Sequence, residues 1–229
     1  MTDRVEPRDL DRAVTALHKG HVVALQTDTV FGLAVDPENT EAVNLLRRMK
    51  DREADRPIAV LVADERQAAD VAGSWPWHVY ALADAYWPGP LTVVVPVAEP
   101  GMLRPVQSEQ GTVGLRHPDH AVVVEIIRRF GRPVAATSAN TAGTAPLQSS
   151  QDVMTAFSRW ADQLYVISQD SESPGIASTV IDLASRWQIE PREYRDLVSG
   201  SGDGGWPTVL REGAIDREMV RSTLCRAAR

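Results

Sequence analysis

A short polar link, Thr27-Asp28-Thr29, joins the apolar run from His21 to Leu25 to the apolar run from Val30 to Val35. Parallel neighbours need a crossover of a dozen or more residues, so this segment reads as strand, turn, strand. Helical periodicities alternate with further strand-like runs along the rest of the chain. The combination argues against a purely parallel doubly wound sheet. It predicts an α+β chain: a mixed parallel and antiparallel sheet with helices on its faces.

Residues 9–19 read as a first helix, with Leu10, Ala13, Val14 and Leu17 on one face and Gly20 as its stop. Asp36-Pro37 opens a helix over about 38–49, since proline in a first turn costs no hydrogen bond. Strands are expected at Ile58 to Val62, Leu91 to Val97, Thr112 to Arg116, 133–137, 164–168, 178–183 and 208–211. Helices are expected near 64–72, 77–87, 120–130, 151–160 and 216–226. Trp87-Pro88-Gly89-Pro90 is a stiff turn into a core strand, and it receives no chemistry from pattern alone. Ser199 to Gly205 reads as a flexible surface loop.

The chain has 229 residues, a formal net charge of −7 and one cysteine, Cys225. That charge argues against nucleic-acid affinity driven by bulk charge, while leaving room for a local basic groove. One cysteine excludes an intramolecular disulfide and a multi-cysteine metal site, which fits a reducing cytoplasm. No leader-like or membrane-spanning run is visible, so a cytoplasmic protein is expected.

Two short blocks carry the chemistry. Lys50-Asp51-Arg52 puts two cations just after a helix, where both can be aimed at one anion. Ser138-Ala139-Asn140 ends the apolar run Pro133 to Thr137, and on a strand Ser138 and Asn140 share one face. Phosphate-clamping cations beside groups that position a polar substrate point to nucleotide chemistry without a Walker loop. The segment Thr27 to Leu33 has two readings: a hairpin turn held by local hydrogen bonds, or a pocket rim formed by Thr29, with Gly32 allowing close approach. Gly200-Ser201-Gly202-Asp203-Gly204-Gly205 matches a dinucleotide fingerprint, but Trp206-Pro207 and a strand follow where a helix N-terminus is required. It is read as a linker. His117-Pro118-Asp119-His120 lacks a third clustered ligand, so no metal site is assigned.

In order along the chain, these pieces resemble the YrdC-like family of L-threonylcarbamoyladenylate synthases. The resemblance rests on Thr27 to Leu33, Lys50 and Arg52 with Pro57-Ile58, and Trp87 to Thr92. It continues through Arg116 with His120, Ser138 to Asn140, Ser178 to Asp182, and Leu210 to Ile215. It covers residues 9–215 as a catalytic domain, with 216–229 as a helical tail, a short form without a further C-terminal domain. Departures are Gln26, where the family has proline, Ala177 before Ser178, and an insertion-like stretch at 184–207.

The resemblance implies a three-layer YrdC-like fold with a twisted sheet. It also implies formation of threonylcarbamoyl-AMP and pyrophosphate from threonine, bicarbonate or carbon dioxide, and ATP, for tRNA threonylcarbamoyladenosine synthesis. It implies that Lys50, Arg52 and Arg56 hold the nucleotide phosphates and that Ser138 and Asn140 stand at the reacting centre. Arg211 would lie at the far side of the nucleotide; Thr29, Arg116 and Ser178 would hold threonine. Lys50, Arg52, Ser138 and Asn140 are thereby the expected catalytic set. Magnesium would be carried in with ATP, and a transferase complex would use the product. Rival readings are a carbamoyl-adenylate module, an RNA-binding protein using Arg47, Arg48, Lys50, Arg52 and Arg56, and a low-activity paralogue of the same fold.

Overall fold

The computed structural model describes residues 5–51, 56–73, 75–140, 144–168, 173–199 and 207–229. Arg52 and the glycine-rich stretch 200–205 lie outside them. In chain order the elements are α1 (Pro7–His18), β1 (Val22–Gln26), β2 (Phe31–Val35), α2 (Thr40–Lys50), β3 (Ala59–Leu61), α3 (Glu65–Ala72) and α4 (Trp77–Tyr86). They continue with β4 (Leu91–Pro96), β5 (Thr112–Arg116), α5 (Ala121–Phe130), β6 (Val134–Ser138), α6 (Ser150–Ala156) and β7 (Leu164–Val166). Finally come β8 (Thr179–Asp182), α7 (Pro191–Ser199), β9 (Thr208–Arg211) and α8 (Arg217–Ala227).

The strands form one sheet in the order β7-β1-β2-β6-β3-β5-β4-β8-β9. The Thr27-Asp28-Thr29 link makes β1 and β2 antiparallel, as its length requires. Parallel pairs occur at β1–β7, β3–β5 and β4–β8, so the mixed sheet is as expected. Strand residues alternate between two cores. Phe31, Leu33, Val60, Val93, Val95, Val113, Leu115 and Ile181 face the larger core, with α2, α3, α4 and α8. Val23, Leu25, Ala34, Leu61, Val134 and Ala136 face the smaller one, under α1 and α5. Among the described residues, no helix is long and apolar enough to cross a membrane.

Several local expectations need correction. Helix α2 begins at Thr40, because the Asn39 side chain accepts from the backbone N–H of Glu41 and Ala42 and so satisfies orphan donors. Pro37 precedes the helix. Its far end runs through Lys50 and stops where Asp51 turns left-handed at φ 49°, so Lys50 is helical and not just past the helix. The helix expected over 151–160 ends at Ala156 and continues as a 3-10 segment, Ser158–Gln163. The insertion-like stretch contains α7, which buries Tyr194 in the larger core, and Ser199 ends that helix instead of opening a loop. Helix α8 buries Val220 and Leu224 in the same core, so it is an integral part of the packing.

Candidate active site

Helices α1 and α5 pack against β1, β2, β6 and the Leu61 end of β3 on one face of the sheet. The part of that face from β3 to β8, with the ends of β2 and β6, lines a cavity of about 1000 Å³. Its floor comes from the strand positions that alternate with the core: Ala59, Val94, Gly114 and Val180. A Cβ on Gly114 would stand 3.0 Å from Thr92 Cγ2, so glycine both avoids that crowding and keeps the floor flat. Gly32 also lines the cavity, yet close approach is not its role. A Cβ there would meet the Thr137 carbonyl at an ordinary 3.6 Å.

Arg116, at the end of β5, dominates one end. It is 6% exposed. It donates from Nε to the Gly89 carbonyl (3.0 Å), from Nη1 to Thr29 Oγ1 (2.8 Å) and from Nη2 to Asp28 Oδ1 (2.5 Å). Three of the five guanidinium N–H groups are thus engaged, leaving two without a partner among the described residues and open to a ligand. Burial pushes this guanidinium below its ordinary pKa, and the Asp28 carboxylate opposes the fall. The hairpin turn that presents Thr29 is built by Thr27, whose hydroxyl donates to the Val30 carbonyl and accepts from the N–H of Thr29 and Val30. With the Thr27 proton committed, Thr29 Oγ1 donates to Thr27 Oγ1 and accepts from Arg116. The segment is the hairpin turn of the first reading, and Thr29 lies at the cavity as in the second, without the close approach expected at Gly32.

The opposite wall is a strap after β9. Thr179 Oγ1 donates to the Ile215 carbonyl (2.6 Å) and accepts from the N–H of Gly213 (3.1 Å) and Ile215 (3.0 Å). Gly213 packs directly on backbone, since a Cβ would lie 2.6 Å from the Thr179 nitrogen. Docking the strap places Arg211, which donates from Nε to the Ser178 carbonyl (3.0 Å) and from Nη2 to Ser178 Oγ (2.9 Å). Ser178 Oγ also shares a proton with Thr92 Oγ1 at 2.9 Å. Burial lowers the Arg211 pKa, and the charge of Arg116 lowers it further. Both guanidiniums line the cavity, and an anion bound between them would offset their charge.

Lys50 is 5% exposed and reaches over to β6. Its Nζ donates to the carbonyls of Ser138 (2.7 Å) and Asn140 and to Asn140 Oδ1 (2.6 Å). Ser138 Oγ donates to the same Asn140 Oδ1 at 2.6 Å, and Asn140 Nδ2 donates to the Thr144 carbonyl. Strand β6 ends at Ser138, so Asn140 is brought beside Ser138 by a bend and not by strand alternation.

The family model described as telomere recombination, Sua5/YciO/YrdC, matches residues 15–192. The chain belongs to the Sua5/YciO/YrdC family. It is 31% identical to the threonylcarbamoyl-AMP synthase of Bacillus subtilis, over 98% of this chain and 59% of that protein. It is 33% identical to the putative threonylcarbamoyl-AMP synthase of Mycobacterium tuberculosis, over 95% of this chain and 89% of that one. The crystal structure of Pyrococcus abyssi Sua5 complexed with L-threonine matches with a TM-score of 0.79 at 29% identity, covering 97% of this chain and 59% of that one. The chain thus spans about three fifths of the B. subtilis and P. abyssi relatives.

Of the residues that the Sua5/YciO/YrdC resemblance singles out, Thr29, Arg116, Ser138, Ser178 and Arg211 line the cavity. Lys50 and Asn140 are bonded to each other behind Ser138 and do not line it. Arg56 is exposed and also outside the lining. Sequence reasoning passed over Asp28, Gly89, Thr92 and Thr179, which hold Arg116, Ser178 and the strap. All four sit inside the quoted motifs, so the signal was present; the contact partner of each is far away in sequence.

Proposed function

We propose that this chain is a threonylcarbamoyl-AMP synthase. It would join L-threonine, bicarbonate or carbon dioxide, and ATP into threonylcarbamoyl-AMP, releasing pyrophosphate. What carries the reading is a cavity that presents two guanidiniums, Arg116 and Arg211, from opposite walls together with the hydroxyls of Thr29, Ser138 and Ser178. The neutral threonine amine attacks carbon dioxide with loss of a proton, or bicarbonate with loss of water, to give a carbamate, and a carbamate oxygen then attacks the α-phosphorus as pyrophosphate leaves. Neither step needs a protein nucleophile; both need the reactants held in line and their negative charge offset.

In this reading the two unengaged N–H groups of Arg116 take the threonine α-carboxylate, beside Thr29 and Ser178. Ser138 Oγ and Arg211 face the nucleotide, and Lys50 fixes the Ser138–Asn140 bend. Arg52 and Arg56 are proposed for the phosphates on the resemblance alone. Magnesium is proposed to arrive as the ATP complex, where it would offset phosphate charge, held by phosphate oxygens and water. That fits a cavity lining whose charged side chains, among the described residues, are Arg116, Arg211 and a single carboxylate, Asp182. The product would be consumed by a transferase acting on tRNA adenosine in the cytoplasm.

The test is pyrophosphate release from ATP by the purified chain. It should require both threonine and bicarbonate. Release without a threonine requirement would refute the assignment.

A further inference from the structure

Asp182 closes β8 at the end of the cavity away from Arg116. Its Oδ1 accepts from the backbone N–H of Ala184 (2.9 Å) and Ser185 (3.3 Å), which fixes the carboxylate. Oδ2 has no hydrogen-bond partner among the described residues, and the side chain lines the cavity. The register gives its position relative to the cationic end. Arg116 stands level with Thr92 and Val180, whereas Asp182 stands level with Val94 and Gly114. Asp182 is therefore two strands across and two residues along from Arg116, roughly 10 Å by 7 Å in strand spacing and rise. An amino acid held by its carboxylate at Arg116 is too short to place its amine on Asp182. A nucleotide is not; the diagonal between the two ends crosses β4 between Thr92 and Val94, beside the flat floor at Gly114.

We propose that Asp182 is a specificity-determining residue that accepts a hydrogen bond from a ribose hydroxyl of the nucleotide. The proposal rests on the synthase reading above. A carboxylate at this end suits a neutral hydroxyl donor and repels phosphate, so it orients the nucleotide with its sugar at the Asp182 end and its phosphates away from it. Ser185, in the same wall, adds a hydroxyl of its own.

The discriminating variant is Asp182→Asn. Its amide oxygen still accepts from Ala184 and Ser185, so the turn survives, while the group facing the sugar becomes a donor. The readout is kcat/KM for ATP against 2′-deoxy-ATP and 3′-deoxy-ATP, with the threonine KM measured alongside. The wild type should prefer ATP over at least one deoxy analogue by roughly ten- to a hundred-fold, the range for a hydrogen bond to a charged group. Asp182→Asn should reduce that ratio to near one with an unchanged threonine KM. An unchanged ratio in the variant, or no preference in the wild type, would overturn the proposal while threonine-dependent turnover left the synthase reading standing. A lost preference for ATP over inosine triphosphate, or an altered magnesium dependence with the sugar ratio intact, would assign Asp182 to the base or the metal and overturn it too. Absence of threonine-dependent turnover with every nucleotide would refute both.

Discussion

Lys50 Nζ stands 2.6 Å from Asn140 Oδ1, so the cation of one sequence block builds the geometry of the other. The ammonium has three protons, and three oxygens of Ser138 and Asn140 receive them. Replacing Lys50 by Met keeps the apolar stem and removes those donors. The expected result is a loss of about 1–3 kcal/mol of stability together with at least a tenfold loss of turnover. Arg at this position should not rescue activity, because a planar fork cannot converge on the same three acceptors. Thermal denaturation beside steady-state kinetics checks this; an active, equally stable Met variant would contradict the role.

Asp28 and Arg116 form a buried ion pair, with side chains 13% and 7% exposed. Removing the carboxylate in Asp28→Ala leaves a desolvated guanidinium without its counter-charge, at a cost of about 3 kcal/mol. The freed guanidinium loses its orientation, so the threonine KM should rise by about tenfold or more, with a smaller change in the KM for ATP. Arg116→Ala should raise the threonine KM as well.

Thr179 is the fastening of the strap. Thr179→Val leaves the N–H groups of Gly213 and Ile215 without their acceptor and should cost about 2–3 kcal/mol. Because the strap carries Arg211 onto Ser178, activity should fall with it. Thr179→Ser keeps the hydroxyl and should restore most of both, which denaturant titration and turnover would show.

His78 is fully buried between the rings of Trp77 and Trp187, and burial lowers its pKa from 6.5 to about 4. The folded state therefore resists a proton that the unfolded chain accepts below pH 6.5. Stability from this source is complete above pH 6.5 and is lost progressively as the pH falls toward 4, by roughly 3 kcal/mol in all. His78→Phe should flatten that acid limb, as urea titrations across the window would reveal.

How much of this was legible in the sequence differs by level. Thr112–Arg116 and Thr208–Arg211 fall where apolar runs place them, and the three-residue link forces the β1–β2 hairpin. Helix α7 was missed because its window is mostly charged and packs through few apolar residues, Tyr194 and Leu197 among them. The boundary at Lys50 was misplaced because Asp51 ends the helix by a left-handed turn that no glycine announces. At the site, the chemistry-bearing side chains were readable from their motifs. Their partners were not: Thr179 meets Ile215 thirty-six residues on, and Arg116 meets Thr29 eighty-seven residues back. Local periodicity carries no information about such pairings.

The most direct measurement is mass spectrometry of the reaction of the purified chain with ATP, magnesium, bicarbonate and L-threonine. The account predicts threonylcarbamoyl-AMP that disappears when threonine is omitted and incorporates label from isotopic bicarbonate. Intact ATP in the complete mixture, or an adenylate lacking the labelled carbon, would contradict it.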